Sequence, residues 1–210
     1  MHRKKLITGM TMAATVALSP GSVLAHHVMD GGTPTSFYEG LLSGLAHPVI
    51  GIDHLAFVIC VGLLAFLAGQ RFLLPLIFVT GTLAGTAMHL TETNFPFAEL
   101  IILASVAVAG LLTFFRAKVG ALWLSILFSG AGLFHGYAYA ESIMGAETTP
   151  FVAYLLGFSI IQYGMAVFAG TIFMYFSAGD FGRERKYAKI VGSVVVALSV
   201  YLATTSGFVT

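Results

Sequence analysis

The segment HPVIGIDH, residues 47–54, sets two histidines and an aspartate inside a long apolar run. Imidazole nitrogen and carboxylate oxygen suit divalent nickel, cobalt or zinc, whereas Cu(I) draws clustered Met and Cys. The eight methionines are scattered, and Cys60 is the single cysteine, which excludes an internal disulfide and a Cys-rich metal site. Cys60 itself reads as a packing residue. Pro48 disfavours helix at His47 and suits a first helical turn. The segment is therefore expected to break at His47 and restart as helix at Pro48, with Asp53 and His54 in the second turn. Gly51 would allow close approach of a neighbour. Interrupted helices with ligands at the break are how many transporters hold ions.

A second cluster, GLFHGYAYAE at residues 132–141, places His135 and Tyr139 on one helix face at i, i+4. Glu141 lies six residues beyond His135, as Asp53 lies six beyond His47. Both clusters open with Gly-Leu-x-His, a match that an inverted repeat would produce. His89 and Glu92 share a face at i, i+3, and Glu99 lies in the next apolar run. Tyr139 reads as an interfacial aromatic more readily than as a ligand. Gln162 is equally compatible with a polar lining and with an interhelical hydrogen bond. His26 and His27 would give the mature chain an α-amine and two imidazoles at its start, a candidate capture site for a metal.

The elements that must position these groups are helices in lipid. Of 210 residues, 58% are hydrophobic and only 9% charged, against about 25% charged in a soluble domain. Mean hydropathy is +0.92. A net charge of +1 gives no case for nucleic acid, and no Gly-rich phosphate loop ending in Lys-Ser or Lys-Thr offers an ATP site. Arg3, Lys4 and Lys5, the apolar run 6–18 and Val23-Leu24-Ala25 read as a secretory signal cleaved before His26. Six later runs, 48–68, 72–90, 95–115, 119–139, 151–176 and 189–207, approach the ~20 residues that a bilayer crossing takes. The apolar piece 37–46 is too short to span and is expected as an interfacial helix or as a half-helix leading into the first span. Small residues such as Gly81 and Gly85 would let helices approach closely.

Charge orients the spans. Of ten Lys and Arg, three lie in the signal, leaving Arg71, Arg116, Lys118, Arg183, Arg185, Lys186 and Lys189. With six spans and an outside start, all seven fall at the cytoplasmic side, as the positive-inside rule requires. Asp53, Glu141 and every mature histidine then gather towards the outer side. His54 and Glu99 would lie about 6 Å below the outer boundary at ~1.5 Å per residue, with His89 and His135 near the same level. An ionised group at mid-bilayer costs on the order of 3 kcal/mol, so a layer of them needs a reason, and metal binding supplies one.

At this point the chain resembles the HupE/UreJ family of small nickel and cobalt permeases. The resemblance covers the whole chain: leader, six spans, His47-x5-Asp53-His54 at the first and Phe134-His135-Gly136 late in the fourth. It implies that His47, Asp53 and His54 matter for transport, with Glu99 and His135 as further candidates. The chain departs from the family pattern at Tyr139, where members often carry a second histidine, and at Glu141, one position early. It departs again in the fifth span, where Gln162 and Tyr163 stand in place of a histidine. These departures bear on which metal is carried.

The expectation is an all-α polytopic membrane bundle: signal peptide 1–25, a periplasmic N-terminal segment 26–47 with a short half-helix, and a six-span permease domain 48–210. It would lie in a bacterial inner membrane with its mature N-terminus periplasmic. It would import Ni2+, or next Co2+, through His47, Asp53, His54, His89, Glu99, His135 and Glu141, with His26 and His27 capturing the ion. The ion is cargo, and no permanently bound cofactor is expected. Membrane lipid is an expected partner and nucleic acid is not. A homo-oligomer and a functional link to a nickel or cobalt enzyme stay open. The competing readings are an intramembrane zinc hydrolase using the same His/Asp cluster, and an assembly subunit that hands metal to a partner.

Overall fold

A computed structural model describes residues 32–91, 95–177 and 179–206. The signal segment, His26, His27 and Glu92 lie outside the described residues. Those described form seven α-helices and no strand: α1 (Phe37–Ile50), α2 (Ile52–Leu67), α3 (Leu73–His89), α4 (Ala98–Phe115), α5 (Ala121–Ala140), α6 (Thr148–Ser177) and α7 (Phe181–Thr205). A single 3-10 turn, Glu141–Ile143, follows α5.

Helix boundaries follow local chemistry. Ser36 caps α1 by accepting the Glu39 N–H at 3.2 Å, and the Glu39 carboxylate reaches back to the Thr35 N–H at 2.7 Å. Asp180 caps α7, accepting the Arg183 N–H at 3.0 Å. That bond, with one from the Gly182 N–H, holds the Asp180 carboxyl below the ordinary aspartate range. α2 stops at Gly69, whose φ of +70° lets the Gly69 and Gln70 N–H groups close on Phe66 and Ala65 carbonyls. α4 ends in the same motif with Arg116 at φ +48° in the glycine position. The Arg116 guanidinium there pairs with Glu184 and lies 4.3 Å from the Phe181 ring centre, tying α4 to α7. That tie offsets the left-handed backbone, which costs a non-glycine residue about 1–2 kcal/mol.

Glycines decide how the helices pair. α1 runs parallel to α6: a Cβ on Gly40 would meet Pro150, one on Gly44 would meet Tyr154 and Phe158, and one on Gly157 would meet Leu41 and Leu45. α3 runs parallel to α5 in the same way, with Gly81 against Ser129 and Gly132, Gly85 against Leu133, and Gly136 against Thr82. Gly40/Gly44, Gly81/Gly85 and Gly132/Gly136 are all small-xxx-small pairs, which let backbones touch where lipid gives no hydrophobic drive to association. α4 and α7 pack antiparallel, with Gly110 against Val195 and Gly192 against Phe114. Outward faces stay apolar, as at Leu122, Trp123, Ile160, Phe168 and Val194, each more than half exposed.

Four helices, α4 to α7, are long and apolar enough to cross a membrane, and the α1–α2 pair, bent by 79° at Gly51, makes five if it counts as one broken span. Four of the six expected spans are thus single long helices. The expected span 72–90 is the shorter α3, of 17 residues. The expected first span is α2, of 16 residues, preceded by the half-helix α1. The break lies four residues later than expected, at Gly51 and not at His47. His47 and Pro48 belong to the last turn of α1, and the Gly51 N–H closes that turn on the His47 carbonyl at 3.0 Å. Proline removes only one link of the ladder, whereas Gly51 turns the backbone directly against the His54 ring. A Cβ there would stand 2.6 Å from His54 Cδ2. Asp53 and His54 consequently sit in the first turn of α2, not a second. The close neighbour that Gly51 admits is the ring of its own chain.

Two ends of the bundle differ in charge. α1 and α6 begin, and α3 and α5 finish, at the histidine end. Arg71, Arg116, Lys118, Arg183, Arg185, Lys186 and Lys189 all lie at the other, basic end, between or beside helix termini.

Candidate functional site

The Gly51 break brings residues from α1, α2, α5 and α6 together. His54 Nδ1 lies 2.7 Å from His135 Nδ1. The His47 ring centre stands 6.0 Å from that of His54 and 4.9 Å from Tyr139, and Tyr139 is 4.5 Å from His54. His47, His54, His135 and Tyr139 are all buried. Asp53, partly buried, lies within electrostatic reach of His54 and His135.

Each ring is fixed by its surroundings. His135 Nε2 lies 3.0 Å from Ser105 Oγ on α4, and that hydroxyl stands 2.7 Å from the Ile102 carbonyl. Thr86 on α3 donates to the Gly136 carbonyl at 2.8 Å, locking α5 beside His135. Tyr139 packs 5.5 Å from Phe158, and its backbone carbonyl accepts from the Tyr154 hydroxyl at 2.9 Å and lies 2.9 Å from that of Ser142. The Tyr139 hydroxyl itself is buried with no hydrogen-bond partner among the described residues. Both amide atoms of Gln162, fully buried one helical turn beyond Phe158, are likewise without a partner among them.

On the basic side of the histidines the bundle closes. Phe57, Phe78 and Phe128 are fully buried, with Phe57 5.3 Å from Phe78 and 6.1 Å from Phe128. Phe57 also covers His135 at 4.6 Å.

Of the residues that the sequence nominated, His47, Asp53, His54 and His135 share this neighbourhood. His89 does not: it stacks on Tyr137 at 4.2 Å, and its buried Nδ1 has no hydrogen-bond partner among the described residues. Glu99 is exposed in the first turn of α4, and Glu141 is exposed in the 3-10 turn. Both carboxylates sit on the outer surface near a helix end, so proximity along the chain did not draw them inward. Among the described residues, no three His, Cys, Asp or Glu side chains stand close enough to hold one ion. In place of a convergent ligand cage, the structure brings together a histidine pair with His47 and Asp53 beside it. Tyr139, read as interfacial, is a fully buried wall of the site. Ser105 was missed, since a lone serine in an apolar helix carries no pattern.

The HupE/UreJ family model matches residues 13–202. The chain belongs to the HupE/UreJ family. A curated relative, "Protein HupE" of Rhizobium leguminosarum bv. viciae, is 29% identical over 164 residues, which is 77% of this chain and 82% of the relative. No solved structure matches. Family membership and the apolar helices together make this a multi-pass membrane protein.

Proposed function

We propose that this HupE/UreJ chain is a permease carrying a divalent transition-metal ion, Ni2+ first and Co2+ next, from periplasm to cytoplasm across a bacterial inner membrane. Membership of a family generally concerned with nickel and cobalt transport supports the class of cargo. The observation that carries the reading is the buried pairing of His54 and His135, from helices far apart in sequence, with His47 and Asp53 alongside. Buried imidazoles and a carboxylate are costly in lipid, face the bundle interior and mark ion pathways. A site that needs water or a shifted His47 to complete coordination suits a passing ion better than a resident one. The hydrolase alternative needs three firm protein ligands, and nothing in the geometry favours it.

The basic end supports the orientation. Seven Lys and Arg gathered there make it the cytoplasmic end by the positive-inside rule. The histidine end is then periplasmic, as is the mature N-terminus. The membrane potential favours inward movement of a cation by ~2.3 kcal/mol per charge per 100 mV. Phe57, Phe78 and Phe128 pack together on the basic side of the histidines, which supports a path that must open there for an ion to pass.

Radiolabelled Ni2+ uptake into proteoliposomes tests this, with Co2+ and Zn2+ as competitors. His54→Ala is expected to abolish accumulation while the protein stays monodisperse and inserted. Uptake at wild-type rate in that variant would remove His54 from the pathway.

A further inference from the structure

The contacts around His135 form an unbroken chain across α4, α5 and α2. The Ile102 carbonyl faces Ser105 Oγ at 2.7 Å, Ser105 Oγ faces His135 Nε2 at 3.0 Å, and His135 Nδ1 faces His54 Nδ1 at 2.7 Å. Each contact is short enough for a hydrogen bond, and a hydrogen bond needs one proton between its two atoms. The carbonyl has no proton to give, and a serine hydroxyl has one. If Ser105 donated to His135, its oxygen would press lone pair against lone pair on the Ile102 carbonyl. The arrangement that satisfies these three contacts has Ser105 donating to Ile102 and accepting from His135 Nε2–H. A neutral His135 then has a bare Nδ1, which accepts from His54 Nδ1–H. His54 must in turn carry its lone pair on Nε2.

We infer that Ser105 and His135 form a relay that fixes the tautomer of His54, making His54 Nε2 the metal-binding atom and His135 a positioning residue that does not touch the ion. Metal-bound histidines characteristically donate their other N–H to a fixed acceptor, which orients the ring and raises the basicity of the ligating nitrogen. Here the acceptor is itself an imidazole, held from behind by a serine on a third helix. The 2.7 Å separation supports a shared proton. Two imidazole nitrogens on one tetrahedral ion, bound at about 2.0–2.1 Å, would stand about 3.3 Å apart. His135 also lies in the driest place in the cluster, covered by Phe57 and 6.1 Å from Phe78.

The test has two readouts on full-length purified protein. Nitrogen-15 imidazole NMR of the metal-free wild type, with signals assigned by single-histidine substitutions, is expected to show His54 protonated on Nδ1 and His135 on Nε2. The opposite tautomers would overturn the relay. Ni2+ affinity by equilibrium dialysis, which rests on the transport reading above, is expected to fall 10–100-fold in Ser105→Ala. It should recover in Ser105→Thr, which restores the hydroxyl. Undiminished affinity in Ser105→Ala, or absorption spectroscopy of the nickel-loaded protein showing both His54 and His135 bound to the ion, would also overturn it. A wild type that binds no Ni2+ would refute the transport reading, while the NMR result would still decide the relay.

Discussion

The two parallel helix pairs use the same packing device to different ends. α3 and α5 are continuous and touch along Gly81, Gly85, Gly132 and Gly136, with Thr86 bonded to the Gly136 carbonyl. Their contribution to the site is His135, with contacts on both ring nitrogens, and Tyr139 as a buried wall. α1 and α6 start the same way, through Gly40, Gly44 and Gly157, but α1 stops at Ile50. α2 leaves at 79° and regains α6 lower down, where Gly62 meets Ala166 and Gly170. That interruption loads His47, Asp53 and His54 into eight residues. Both pairs carry Gly-Leu-x-His, at 44–47 and 132–135, on helices that run in opposite directions. The continuous pair therefore acts as scaffold, and the broken pair carries three of the candidate ligands.

If this division holds, glycines in the two pairs should fail differently. The largest effect is expected in the scaffold. In Gly136→Ala the new Cβ would land on the Thr82 backbone, which cannot rotate away. Overpacking of this kind costs about 1–3 kcal/mol, and the upper end applies where backbone meets backbone. A marked drop in thermal midpoint and in yield of monodisperse protein is the expected outcome; an unchanged midpoint would mean that α3 and α5 are not in contact here.

Gly51→Ala should fold, because the Cβ meets mainly the His54 ring at 2.6 Å, a side chain that can turn. The expected result is near-normal stability with Ni2+ uptake reduced at least about tenfold, since a ligand misplaced by an ångström loses its geometry. Instability matching that of Gly136→Ala would erase the distinction between the pairs.

The smallest effect sharpens the comparison within α6. Gln162 holds an amide with neither atom partnered among the described residues, a cost of about 1–3 kcal/mol. Gln162→Leu is expected to raise the thermal midpoint by a few degrees and to slow uptake, as strain kept for function would. Higher stability with unchanged uptake would leave the amide without a part in transport.

How much of this was legible depended on the kind of signal. Apolar run lengths and the side taken by Arg and Lys depend on lipid as solvent, which acts on each segment alone, so α4 to α7 were readable. The half-helix before the first span was readable for the same reason. The break was misplaced because Pro48 is a strong local signal, yet the contact that favours glycine at position 51 comes from the His54 ring folding back. Glu99 and Glu141 were nominated by type and depth, but rotation about the helix axis decides exposure, and the phase of an all-apolar helix is weakly marked.

By itself, then, the sequence determined an all-helical chain made for lipid, with basic residues at one end and imidazoles towards the other, because hydropathy and charge are properties of each segment alone. Tertiary structure decided which imidazoles meet. His54 and His135 are 81 residues apart, and only the glycine-set distances between backbones bring their nitrogens to one proton. It also recruited Ser105 and Tyr139, whose roles come from the neighbours that packing gives them.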